Sequence, residues 1–169
     1  MRRISTSIAI ALVATALLAG SVGATTRVVI EQNSVAPLHF EGLDACEADY
    51  GFTYTGDYTR TRSITEYWDG AILVRTVTQI HFDGIETNDL DPSRSLRASG
   101  ERRIVDDWLA GTWSETGTLR HVTAQGEGIV LQQTGRMVSN IEDNEILTVN
   151  GPHQFLFDDF SAFCEALGG

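Results

Sequence analysis

Thr65-Glu66-Tyr67-Trp68-Asp69-Gly70-Ala71-Ile72-Leu73-Val74 sets an Asp-Gly pair between two runs of strand-forming residues. Asp-Gly supplies the positive φ values of a two-residue hairpin loop, so the stretch reads as a hairpin tip. Upstream, Phe52, Tyr54 and Tyr58 alternate with Thr53, Thr55 and Thr59, the period of a half-buried strand. One long hairpin is expected from about Phe52 to Phe82. With Asp69 and Gly70 as the loop, Arg62 would oppose Val77, Ile64 would oppose Arg75 and Tyr58 would oppose His81. Arg60, Arg62 and Arg75 would then share one face.

Further strands are expected at Arg27 to Gln32, Ser95 to Val105, Thr112 to Thr123, Gly128 to Ser139 and Glu145 to Asn150. Turn-rich runs such as Asn88-Asp89-Leu90-Asp91-Pro92 and Glu142-Asp143-Asn144 divide them. Between the first strand and the hairpin lies an irregular stretch with a short helix around Leu43 to Asp49. Because no helical pattern separates the later strands, the fold class is mainly β: an antiparallel barrel or sandwich of about seven or eight strands. A short C-terminal helix follows. Phe160, Phe163, Cys164 and Leu167 recur at helical spacing behind a capping Asp158 or Asp159, and Gly168 ends the stripe.

Residues 1–24 read as a cleavable signal peptide. Arg2 and Arg3 precede an apolar run from Ile8 to Ala19, and Val22-Gly23-Ala24 is a small-residue cleavage site. The run is shorter than the roughly 20 residues of a membrane span, so no stable anchor is expected. Ser21 stands where a lipoprotein would carry cysteine, and the Arg2-Arg3 pair leaves the general and twin-arginine export routes both open. The expected product is a secreted, single β-rich domain over 25–169.

Loss of the two leader arginines moves the formal charge from −11 to −13, since the leader contains no acid. Such a chain repels phosphate-rich partners, which argues against nucleic acid. Every basic residue is Arg. The absence of Lys removes Schiff-base chemistry, Ser-Lys dyads and the P-loop. In an exported chain with two cysteines, Cys46 and Cys164 pair by default.

No metal or cofactor is expected. His39, His81, His121 and His153 show no ligand spacing, serine never occurs in G-x-S-x-G, and Gly126-Glu127-Gly128 lacks a third glycine. Asp83, Glu86, Asn88, Asp89 and Asp91 read as one acidic loop of a composition that suits calcium, without EF-hand spacing.

The chain holds 3 Trp, 4 Tyr and 7 Phe, mostly on expected strands. The leading expectation is therefore a non-enzymatic domain binding a small, partly apolar molecule in a cavity lined by Tyr54, Trp68 and Trp113. His121 alternates with Leu119 and Trp113 and is placed at the same site. Two alternatives stand beside it: a cofactor-independent cyclase or isomerase with His121 or an acid moving a proton, and a cell-envelope interaction protein presenting its acidic face to a basic partner.

Cys46-x3-Tyr50-Gly51-Phe52, the turn from Asn88 to Leu96, Gly126-x-Gly128-x-Val130-Leu131 and Gly151-Pro152-His153 together resemble small exported proteins of actinobacteria. The resemblance covers most of the chain after the leader. It implies compartment and general shape and carries no active residue. In size and strand pattern the chain is also similar to ligand-holding barrels of the lipocalin and allene-oxide-cyclase type, a likeness of fold alone.

Overall fold

The computed structural model describes residues 25–154 and 159–169. The expected leader, Asp158 and the Phe155 to Phe157 segment lie outside these residues. Seven strands run in sequence order through one antiparallel sheet: β1 (Thr26–Leu43), β2 (Tyr54–Asp69), β3 (Ile72–Asn88), β4 (Ser95–Asp107), β5 (Thr112–Ala124), β6 (Gly128–Asn140) and β7 (Ile146–Asn150). Two helices complete it, α1 (Glu47–Tyr50) between β1 and β2 and α2 (Ser161–Gly168) at the end. The sheet is a meander with β1 and β7 as its edges, unpaired to each other.

The sheet is nonetheless strongly curled. Leu38 of β1 and Gln133 of β6 line one cavity although five strand spacings separate them, about 24 Å across a flat sheet at ~4.8 Å per strand. A row of glycines accompanies the curl on the inner face. A Cβ on Gly84 of β3 would lie 2.7 Å from Tyr58 Cα, and one on Gly100 of β4 would lie 2.8 Å from Leu119 O, beneath the Phe82 ring. Any larger residue there would push backbones apart and lift the rings off the sheet.

The hairpin exists, but its register departs from the expected one in two steps. Asp69 pairs with Ile72, so the loop residues are Gly70 and Ala71, with Gly70 at φ 60°. A bulge then leaves Val74 unpaired between the Trp68–Leu73 and Tyr67–Arg75 pairs. Arg62 consequently opposes Ile80, and Tyr58 opposes Gly84. An odd total slip exchanges faces. Arg75 therefore leaves the Arg60–Arg62 face and pairs outward with Asp107 at 3.5 Å.

β1 is far longer than the six-residue strand expected. Pro37 and the positive-φ Asn33 (φ 50°) disguise its second half, and both are tolerated because β1 is an edge strand with bulges around Glu31 and Ser34. His39 fastens that half to β2, with its ring nitrogens 2.6 Å from Asp57 and 2.9 Å from Glu41. These bonds, Glu41 first, raise the imidazole pKa above its ordinary value.

At the other end of the inner face, α2 lays Phe163, Cys164 and Leu167 onto Tyr54, Leu96, Ala98, Val122 and Leu131. Its N-cap is Phe160, while Asp159 accepts from the Ser161 hydroxyl at 3.1 Å. Cys46 and Cys164 form the expected disulfide, with Cα atoms 5.5 Å apart and 118 residues between them. Closing that loop limits the unfolded chain and contributes roughly 4 to 5 kcal/mol in the chain-entropy treatment. Reduction is expected to lower the melting temperature by more than about 10 °C, at ~3 °C per kcal/mol for a domain of this size. Differential scanning calorimetry with and without reductant checks this, and an unchanged transition would refute the staple.

Candidate functional site

Helix α2 covers only part of the curled face. The uncovered part is a cavity of about 670 Å³, open on one side, running from Leu43, Asp44 and Phe160 to Arg60 and Arg102. Its walls are apolar: Leu38 and Phe40 from β1, Ile80 and Phe82 from β3, and Leu119 from β5. Phe82 meets Tyr58 edge-on with centroids 5.6 Å apart, and Phe40 flanks Tyr58 at 6.1 Å.

A buried polar network separates the filled half from the open half. Glu86 is wholly inaccessible, and Arg120, 14% exposed, donates to its Oε1 from Nε at 3.0 Å, with Nη2 2.6 Å from the same oxygen in an ion pair. Tyr58 donates its phenolic hydroxyl to the same oxygen at 2.6 Å, and Arg120 Nη2 reaches Tyr54 Oη at 3.3 Å. The guanidinium also lies over the Tyr54 and Phe163 rings, 5.8 and 5.3 Å from their centroids.

Burial, then the charge of Glu86 and the bond to it, push the Tyr58 phenol far above its ordinary pKa, so it remains a donor. Burial also raises Tyr54, opposed in part by Arg120. For Arg120 burial works against the charge, but the attraction of Glu86 and Tyr54 outweighs it and leaves the pKa raised. At the far end Arg102 Nη1 donates to the nearly buried Glu115 at 2.8 Å.

The phase of β5 decides which of its residues belong here. Glu115 and Leu119 face inward, whereas beyond them the inward residues are Arg120, Val122 and Ala124. A bulge opposite Gly100, between the Glu101–Thr118 and Ser99–His121 pairs, turns two successive side chains inward. His121 thereby falls on the opposite face from Arg120 and Val122, and it is not among the residues lining the cavity.

Of the four residues expected to share a site, the structure places Tyr54 in the cavity wall and Trp68, Trp113 and His121 elsewhere. Trp68 donates its indole N–H to Glu66 at 3.0 Å. The acidic loop divides similarly. Asp83, Glu86 and Asn88 are part of β3, with Glu86 turned inward, and only Asp89 and Asp91 belong to the turn. No cluster of three metal-ligating side chains occurs among the described residues.

Leu38, Phe82, Glu86, Arg102 and Arg120 were missed as site residues. Phe82, Gly84, Glu86 and Asn88 alternate along β3, and that period was the available signal for an inward Glu86. No protein-family model, curated protein or solved structure matches the chain.

Breaking a buried pair strands its partner's charge, which costs about 3 to 5 kcal/mol. Glu86→Gln is therefore expected to lose about 3 kcal/mol or more of unfolding free energy in urea titrations, while Glu86→Leu combined with Arg120→Met recovers most of it. A single-variant loss below about 1 kcal/mol would show that the pair is not buried as described.

Proposed function

We propose that this is an exported, non-enzymatic binding protein that holds a small, partly apolar molecule in the cavity between Leu38, Phe82 and Leu119. The observation that carries the reading is the unfilled apolar volume of about 670 Å³ on the inner face, within the size range of small-molecule sites. Side chains fill the neighbouring half of the same face around Phe163 and Leu167. The cavity walls come from paired strands, so the site is built before a ligand arrives.

Export is supported by the leader-like sequence of residues 1–24 and by the Cys46–Cys164 disulfide, which suits an oxidising compartment. Among the described residues no helix is long and apolar enough to cross a membrane. The cyclase or isomerase alternative loses its named proton carrier with His121 on the outer face. Glu86 and Tyr58 are engaged with each other.

Native mass spectrometry of protein purified from its source culture, followed by titration with a lipophile panel, tests the proposal. A co-purifying small molecule or saturable 1:1 binding is expected. Leu38→Trp, which fills the cavity from the edge strand, is expected to weaken binding about tenfold or more, equivalent to ~1.4 kcal/mol, with little change in melting temperature. Neither carry-over nor binding, or full binding by Leu38→Trp, would overturn it.

A further inference from the structure

We propose that the ligand is an amphiphilic monoanion, an apolar body bearing one carboxylate, and that Arg60 and Arg102 hold the carboxylate at the end of the cavity away from Asp44. This deepens the binding reading above and rests on it. Arg60 of β2 lies opposite Phe82, and Arg102 of β4 lies opposite Ile80, so the two arginines flank β3 on the same cavity face. Their strands are about 10 Å apart at two strand spacings, a gap that two arginine side chains span.

The arginines on this face differ in what they are offered. Arg62 is held by both oxygens of Glu31 at 2.6 and 3.1 Å, and Arg120 by Glu86. Arg102 gives Nη1 to Glu115, yet its Nε is buried with no hydrogen-bond partner. Arg60 Nε is likewise buried and without a partner, and among the described residues the Arg60 side chain makes no hydrogen bond or ion pair. Its one evident influence acts through space on Glu31, which Arg62 already occupies. A buried donor left unsatisfied is costly, and a carboxylate, met by a turn of the two guanidinium groups, is the strong acceptor that relieves both.

The charge balance selects a single negative charge. Arg60, Arg102 and Arg120 face Glu86 and Glu115, leaving one positive charge in excess. Asp44, the remaining ionised lining residue, is exposed at the opposite end beside Leu43. A monoanion neutralises this end, whereas a dianion would bring one negative charge more than the three arginines balance. The body of the ligand then runs over Phe82 and Leu119 toward Leu43 and Phe160. The chain's net negative charge makes a local guanidinium pair the more necessary for admitting an anion.

Isothermal titration at pH 8 with decanoate, decanol and decyl phosphate reads the three features separately, since the phosphate is then a dianion. Decanoate is expected to bind at least about tenfold more tightly than either comparator, as charge-assisted paired hydrogen bonds require. Arg60→Met is expected to abolish that preference, bringing decanoate down to about the affinity of decanol, and an intact calorimetric unfolding transition reports that the variant is folded. Arg60→Gln serves the same purpose if the methionine variant does not fold. Equal affinities in the parent protein, or a preference that survives loss of Arg60, would overturn the carboxylate clamp and leave the binding reading standing. Failure of all three probes to bind would overturn both.

Discussion

The Arg120–Glu86 pair is the interaction on which the inner face depends. A carboxylate with no exposure and a guanidinium almost as deep can coexist only as a pair, and the contacts to Glu86 all converge on Oε1. The pair draws Tyr58 onto Glu86 and holds Tyr54 beneath the guanidinium, so four strands, β2, β3, β5 and their neighbour β4, are locked at one level of the sheet. On one side of that level α2 and the disulfide complete a filled core. On the other side no element among the described residues covers the face, and the curl of the sheet lines a cavity instead. The glycines under Tyr58 and Phe82 contribute by letting those rings lie against the backbone rather than across the opening.

Much of the strand pattern was legible because it is local. Residues alternate along β2, β4, β5 and β6, and turn residues separate them, so each strand's limits fell within a few positions of those expected. The helix was legible from the spacing of Phe163, Cys164 and Leu167. β1 was misjudged because an edge strand admits Pro37 and a positive-φ Asn33, which read as loop when the strand's edge position is unknown. Its second half supplies Leu38 and Phe40, so the wall of the cavity was hidden along with it.

The site was far less legible, and two single-residue irregularities account for most of the difference. Shifting the hairpin loop to Gly70-Ala71 and bulging Val74 moved Arg75 to the outer face. In β5 the bulge brought Arg120 in beside Leu119 and sent His121 out. Bulges arise from the balance of twist, packing and pairing across several strands, and no nearest-neighbour pattern announces them. The cavity has apolar and aromatic walls, and Tyr54 alone of the expected four residues stands in them. Arg60 was expected to share a face with Arg62 and Arg75, whereas its neighbour across β3 is Arg102, which only the full sheet register reveals.

The proposed ligand lies along the preformed apolar trough and leaves the Arg120–Glu86 pair in place. A crystal structure of the protein grown with decanoate tests it most directly. The expected result is ligand density along Phe82 and Leu119 with Arg120 still paired to Glu86. Density confined to another surface, or an Arg120 that has swung from Glu86 to meet the ligand, would contradict it.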